Sequence, residues 1–188
     1  MLLVHSGNRI DLPGRRVVRF PSSQVPVVRA RVARLLATLQ PSDVVSAAAA
    51  GADLIVLEEA IGHGINAHVV LTIARDQFVK QSVNDAGPDW VARFEAVVHH
   101  VSTVDGCSMT ESDDAPGEQW YLAAHDQLLA RAEVLAAGRT IAALTVRPPE
   151  GEVPPSVTDN FAARAERLGL LVLSVDPRPA STTGVTAG

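Results

Sequence analysis

Short apolar runs alternate with segments of helical period along almost the whole chain, and this alternation constrains the fold more than any other feature. Residues 2–5, 43–46, 67–73, 140–146 and 170–175 are brief and apolar on both sides of the chain. They read as buried strands. Between them lie helical stripes. Pro26 opens the first, which carries Val27, Val28, Val32, Leu35, Leu36 and Leu39 and ends near Gln40. Residues 53–61 form a second, closed by Gly62 and Gly64. Trp90, Phe94, Val97 and Val98 mark a third, 121–137 a fourth, and 160–168 a fifth, closed by Gly169. Residues 99–104 read as a further strand. Residues 6–23, the stretch with Arg75, Phe78 and Ser82, residues 105–118 and residues 148–155 read as loops.

Strands that are apolar on both faces belong to a parallel sheet covered by helices. The expectation is therefore an α/β fold: a single Rossmann-like domain over 1–176, with a mostly parallel sheet of about six strands and helices on both faces. Residues 177–188 are small and polar and read as a disordered tail. The 188 residues suit one domain. A hydrophobic share of 47% with 20% charged residues excludes the disordered and coiled-coil classes. One cysteine, Cys107, allows no internal disulfide and no cysteine-rich metal site. The opening apolar stretch is shorter than a secretory core, and no stretch reaches the length of a membrane span. The expected location is cytoplasmic, with no membrane partner.

Charge is unevenly spread. Residues 1–40 carry +6, from Arg9, Arg15, Arg16, Arg19, Arg29, Arg31 and Arg34 against Asp11, while the remainder carries −11. A protein this acidic overall is not expected to bind nucleic acid. A local basic end suits a small anionic ligand, and arginine meets phosphate bidentately.

The loops after the first strands carry the chemistry. Ser6, Gly7, Asn8, Arg9 and Asp11 combine a glycine with hydrogen-bonding groups and a cation, or else form an ordinary solvated turn. Ser46 to Gly51 (with Ala50) and Asp53 expose backbone N–H groups at a helix start, the usual arrangement for an anion; equally, the alanines pack and Asp53 caps the helix. Arg75 and Ser82 follow the third strand. Phe78 beside them reads first as a core residue. Thr158 and Asp159 open the fifth helix, as a plain cap or as added donors. Neither a dinucleotide fingerprint nor a triphosphate-binding loop is present, and no nucleophile elbow occurs. His99 and His100 are adjacent and cannot share a metal, and His63 and His68 lack ligand spacing, so no metal site is expected. Glu58 and Glu59 are the acidic pair from which a general base could come, or they are solvated.

Taken together, SGNRIDLPGRRVVRFP, SAAAAGADLIVLEEAIGHGINAHVVL, RDQFVKQSV and WVARF resemble the SLOG superfamily, which relates the plant-hormone-activating LOG enzymes to the Rossmann-like domain of DNA-processing protein A. The resemblance spans Leu2 to Asp176. It implies nucleotide or nucleotide-derived ligands at the sheet edge, a ligand loop of Ser6, Gly7, Asn8 and Asp11 backed by Arg15 and Arg19, and later positions at Ser82, Tyr121, Thr158 and Asp159. The chain departs from the pattern at Asn8, Ala47, 71–73 and 156–158, and it lacks the LOG glycine motif around Gly51 and Glu58. Lost glycines narrow the room for backbone contact with phosphate.

The leading expectation is a signalling or defence-associated module that senses a small phosphorylated nucleotide-like ligand, requires no cofactor and has no chemistry of its own. One alternative is an N-glycosidic-bond hydrolase acting on nucleoside monophosphates or NAD-like substrates through Glu58 or Glu59. Another is an interaction module without a ligand. The resemblance also implies a homodimer or larger homo-oligomer.

Overall fold

A computed structural model of the chain describes residues 1–112 and 120–178. Six strands form one sheet: β1 (Leu2–Gly7), β2 (Asp43–Ser46), β3 (Asn66–Leu71), β4 (Ser108–Glu111), β5 (Ile141–Val146) and β6 (Leu171–Val175). All pairs are parallel, and the order is β4-β3-β2-β1-β5-β6. The helices are α1 (Val25–Leu39), α2 (Ala52–Gly62), α3 (Arg75–Ser82), α4 (Pro88–Thr103), α5 (Trp120–Ala136) and α6 (Val157–Arg167). The expected α/β architecture, with a Rossmann-like parallel sheet between helical layers, is what the chain adopts.

The two-residue period of the strands divides the core into two layers. Leu3, Val44, Val69, Leu71, Leu144 and Val146 pack with Val28, Val32 and Leu36 of α1, Leu54 and Leu57 of α2, and Phe94 and Val97 of α4. Their neighbours Leu2, Val4, Val45, Val70 and Ala143 face the other way, onto Leu128, Leu129 and Ala132 of α5 and Phe161 and Ala165 of α6. Because β1, β2, β3 and β5 bury both faces, they show no apolar–polar alternation. Gln40 ends α1 in the left-handed region, at φ 46°, and its N–H bonds the Leu36 carbonyl.

Three local expectations are corrected. Residues 99–104 lie mostly inside α4, because Val101 continues the stripe of Phe94, Val97 and Val98 at helical spacing and is buried with them. His99 and His100 therefore project about 100° apart around a helix, and they are not on a strand. The fourth strand lies instead at Ser108–Glu111, within the stretch read as an acidic loop. It is a polar edge strand, paired through His68 to Ser108, and one covered face gives no strong apolar signature. Finally, the segment with Arg75, Phe78 and Ser82 is helical. Phe78 is buried and stacks on Phe94 with centroids 6.2 Å apart, as a core residue.

At the carboxyl end, Pro177 is buried and Arg178 is held by Asp176 and Glu152. These two positions are held against the folded domain. The rest of the expected tail, 179–188, lies outside the described residues, as do 113–119 of the acidic segment. No helix among the described residues is long and apolar enough to cross a membrane.

Candidate functional site: a crevice where the strand order reverses

The chain leaves β1 toward β2, β3 and β4 on one side, then returns to β5 and β6 on the other. The carboxyl ends of β1 and β5 therefore splay their loops apart, which is where open parallel sheets form ligand crevices. A cavity of about 570 Å³ lies there. Its floor is Ser6, Gly7 and Asn8 from the end of β1, with Ala47 and Ala49 after β2. One wall is the start of α6, from Pro155 to Thr158. The other is Ala124, His125 and Leu128 of α5, and Arg9, Arg15 and Arg19 stand at the rim.

Of the residues singled out in the sequence, Ser6, Gly7, Asn8, Arg9, Arg19, Asp53 and Thr158 line this crevice together, with Arg15. Asp11, Ser46, Ala50, Gly51, Arg75, Ser82 and Asp159 do not. Their roles are internal. The Asp11 carboxylate accepts the Arg19 and Phe20 N–H groups, both at 2.8 Å, and so folds the 11–20 loop back on itself. The Ser46 hydroxyl meets His5 Nδ1 at 2.9 Å. The Ala50 N–H donates to the Ser82 carbonyl and the Ala50 carbonyl accepts from Ile10. Gly51 forms a bridge to Arg9. The two loops after β1 and β2 thus do converge, but backbone fills the contact at Ala50 and Gly51, and the opening lies beside it. Arg75 pairs with Glu95 on α4.

Three features set the electrostatics. Asp53, at the start of α2, accepts the Gly7 N–H at 3.2 Å and the Ala49 N–H at 3.3 Å. These are the amides that could have met an incoming anion, so the chain supplies a carboxyl of its own in that place. Burial pushes the Asp53 carboxyl up to about 7. Its neighbour His5, with Nδ1 3.4 Å from Asp53 Oδ1, is pushed down to about 3 by the same burial. Arg9 is paired with Asp85 and Arg15 with Asp11. Arg19 has no carboxylate partner among the described residues: one nitrogen donates to the Pro154 carbonyl at 2.9 Å, and its Nε is buried without a partner.

The α6 wall adds donors. Ser156 is the N-cap of a capping box closed by Asp159, whose carboxylate accepts the Ser156 N–H and hydroxyl, each at 2.6 Å. Asp159 thus serves the helix start. Val157 and Thr158 follow as its first two residues, and their N–H groups have no intrahelical acceptor. Asn8 Nδ2 donates to Thr158 Oγ1 at 3.3 Å and to the Val146 carbonyl at 3.4 Å, tying this wall to β1. Ser156→Ala is expected to lower stability by about 1 kcal/mol through loss of the cap, read from the urea midpoint. An unchanged midpoint would mean that the box contributes nothing.

Glu58 and Glu59 are not in the crevice. Glu58 is held by Arg29 and Arg93, with Arg93 stacked on Trp90, and Glu59 is held by Arg29. The charge pairs hold Glu58 below the usual carboxylate range despite its burial. They pin α2 to α1 and α4 and cannot reach a ligand at β1. Among the described residues no cluster of three His, Cys, Asp or Glu forms a metal site.

Sequence reading missed the α5 wall. His125 sits three residues before Leu128 and seven before Ala132, a polar residue on an apolar stripe, and that spacing was the available signal. The side chain of Tyr121 lies outside the described residues.

No family model and no curated protein matches the chain. Among solved structures it is similar to DNA processing protein A from Streptococcus pneumoniae, at 12% identity and a TM-score of 0.42. The match covers 89% of this chain and 61% of that one, so the chain spans less than two thirds of that protein's length.

Proposed function

We propose that the crevice binds a small phosphorylated, nucleotide-derived ligand and that the domain acts as a sensor of it, without chemistry of its own. The observation that carries this reading is the convergence of an arginine lacking a carboxylate partner, Arg19, with the open N–H groups of Val157 and Thr158 at one crevice. A helix amino terminus and a guanidinium are the two commonest protein partners of a phosphate. The position, at the reversal of strand order, supports it further. Titration calorimetry against nucleoside monophosphates, cyclic nucleotides and ADP-ribose tests it. Arg19→Ala is expected to weaken the binding of any member that binds by at least about tenfold, since a charge-assisted hydrogen bond contributes roughly 1.5–3 kcal/mol. No heat with any member at millimolar concentration would overturn the reading.

One observation favours a hydrolytic alternative. Asp53 is a carboxyl in the crevice whose affinity for a proton is tuned near neutrality, as a general acid requires. It replaces Glu58 and Glu59 in that role. Release of free base from a bound nucleoside monophosphate, lost in Asp53→Asn, would establish it. Binding without release establishes the sensor.

A further inference from the structure

We infer that the crevice reads the adjacent hydroxyls of a 5-phosphorylated ribose through His125 and Asn160; this rests on the phosphate reading above and names what is attached to the phosphate. His125 is 5% exposed and lines the crevice, and its ring makes no hydrogen bond to another described residue. Its ring is held in place by Phe161, edge-on, with centroids 5.3 Å apart and planes at 61°. The position is thus built and rigid, and what it lacks is a partner in the cavity it lines.

The neighbourhood says what that partner is. Burial lowers His125 to about 4, so the imidazole is neutral and presents one donor and one acceptor. Asn160 lines the same crevice, and its carboxamide, also without a partner among the described residues, presents both kinds of group as well. A hydroxyl both donates and accepts, so two adjacent hydroxyls match this pair. Asn160 lies one helical turn, roughly 5 Å, along α6 from Ser156. That is the separation between a phosphate at the helix start and the hydroxyls of the ribose it esterifies. The wall around His125 is aliphatic, from Ala124, Leu128 and Val157, and no phenylalanine, tyrosine or tryptophan side chain among the described residues lines the crevice for a base to stack on. Both residues also border a second cavity of about 510 Å³, with Arg164 and Arg167. The remainder of a larger ligand has room there beyond the sugar.

The test is calorimetry on the full chain with three probes: inorganic phosphate, ribose 5-phosphate and 2-deoxyribose 5-phosphate. The unmodified protein is expected to prefer ribose 5-phosphate over its deoxy form by about tenfold, the weight of one exchanged hydrogen-bond pair. His125→Phe and Asn160→Ala are each expected to bring that ratio toward one. Asn160 is exposed, so its variant keeps the fold even if a ring swap at His125 does not. Equal affinity for the two sugars in the unmodified protein, or a preference unchanged in a folded His125→Phe or in Asn160→Ala, overturns the inference. The phosphate reading survives that outcome if Arg19→Ala still weakens all three probes. If none of the three probes binds the unmodified protein, the inference falls, and the phosphate reading falls with it unless a nucleotide of the larger panel binds.

Discussion

Replacing Gly51 by alanine is expected to lower stability by about 3–5 kcal/mol. Gly51 has φ +131°, a conformation open to glycine and strained for other residues. A Cβ there would also stand 2.5 Å from the Ile10 amide nitrogen and 2.8 Å from both the Arg9 Cα and the Asn8 carbonyl oxygen. All three are backbone atoms of the β1 loop, so none can swing away as a side-chain tip would. Strain and overpacking add, and each alone costs 1–3 kcal/mol. For a domain of this size the midpoint of thermal unfolding is expected to fall by about 10 °C. Gly14 is the control: its φ is +79° but nothing lies within 4 Å of its Cβ position, so Gly14→Ala pays for conformation alone. Equal losses at the two positions would show that close approach at Gly51 contributes nothing.

The second large effect is a pH dependence that originates inside the crevice. The Asp53 carboxyl is raised from 3.8 in the open chain to about 7 in the fold. Between those values the folded state keeps a proton that the unfolded state has released. Stability from this group is therefore complete below about pH 4 and is lost as pH rises through 7. A gap of three pH units corresponds to at most about 4 kcal/mol, of which about 3 kcal/mol falls above pH 5. His5 and His125 act in the opposite sense: their folded values are lowered to about 3 and about 4, so they favour the fold increasingly as pH rises to 6.5. Comparing the protein with Asp53→Asn cancels most of the histidine contribution. The stability difference, unmodified minus variant, is expected to fall by about 3 kcal/mol from pH 5 to pH 8 in denaturant titrations. A difference that stays flat over that range would mean that Asp53 is already ionised at pH 5.

These effects bear on how much of the site was legible beforehand. The sequence reading took Gly7 as a place where backbone approaches a ligand and Gly51 as the end of a loop exposing N–H groups to an anion; in the structure both lie against the chain's own atoms. At Gly7 a Cβ would lie 2.3 Å from that of Ala52. What they approach is the protein itself, which a linear chain does not reveal. Asp53 was marked as either a cap or a ligand group, and its two backbone partners, Gly7 and Ala49, come from different loops. Arg75 and Ser82 were grouped with the site because they follow a strand. The segment then folds as helix α3 and directs Arg75 to Glu95, a partner twenty residues away.

The sequence by itself determined the class of fold and most of the elements, because burial on both faces of the central strands and on one face of most helices is written as apolar period, and period is local. It determined the basic character of the β1 loop for the same reason. The tertiary structure alone decided which of the crevice arginines lacks a counter-charge, that Glu58 holds helices together instead of facing a ligand, and that His125 lines the same crevice as Gly7. Each of these is a relation between residues dozens of positions apart, fixed by the order in which the strands line up and by which carboxylate happens to arrive beside which cation.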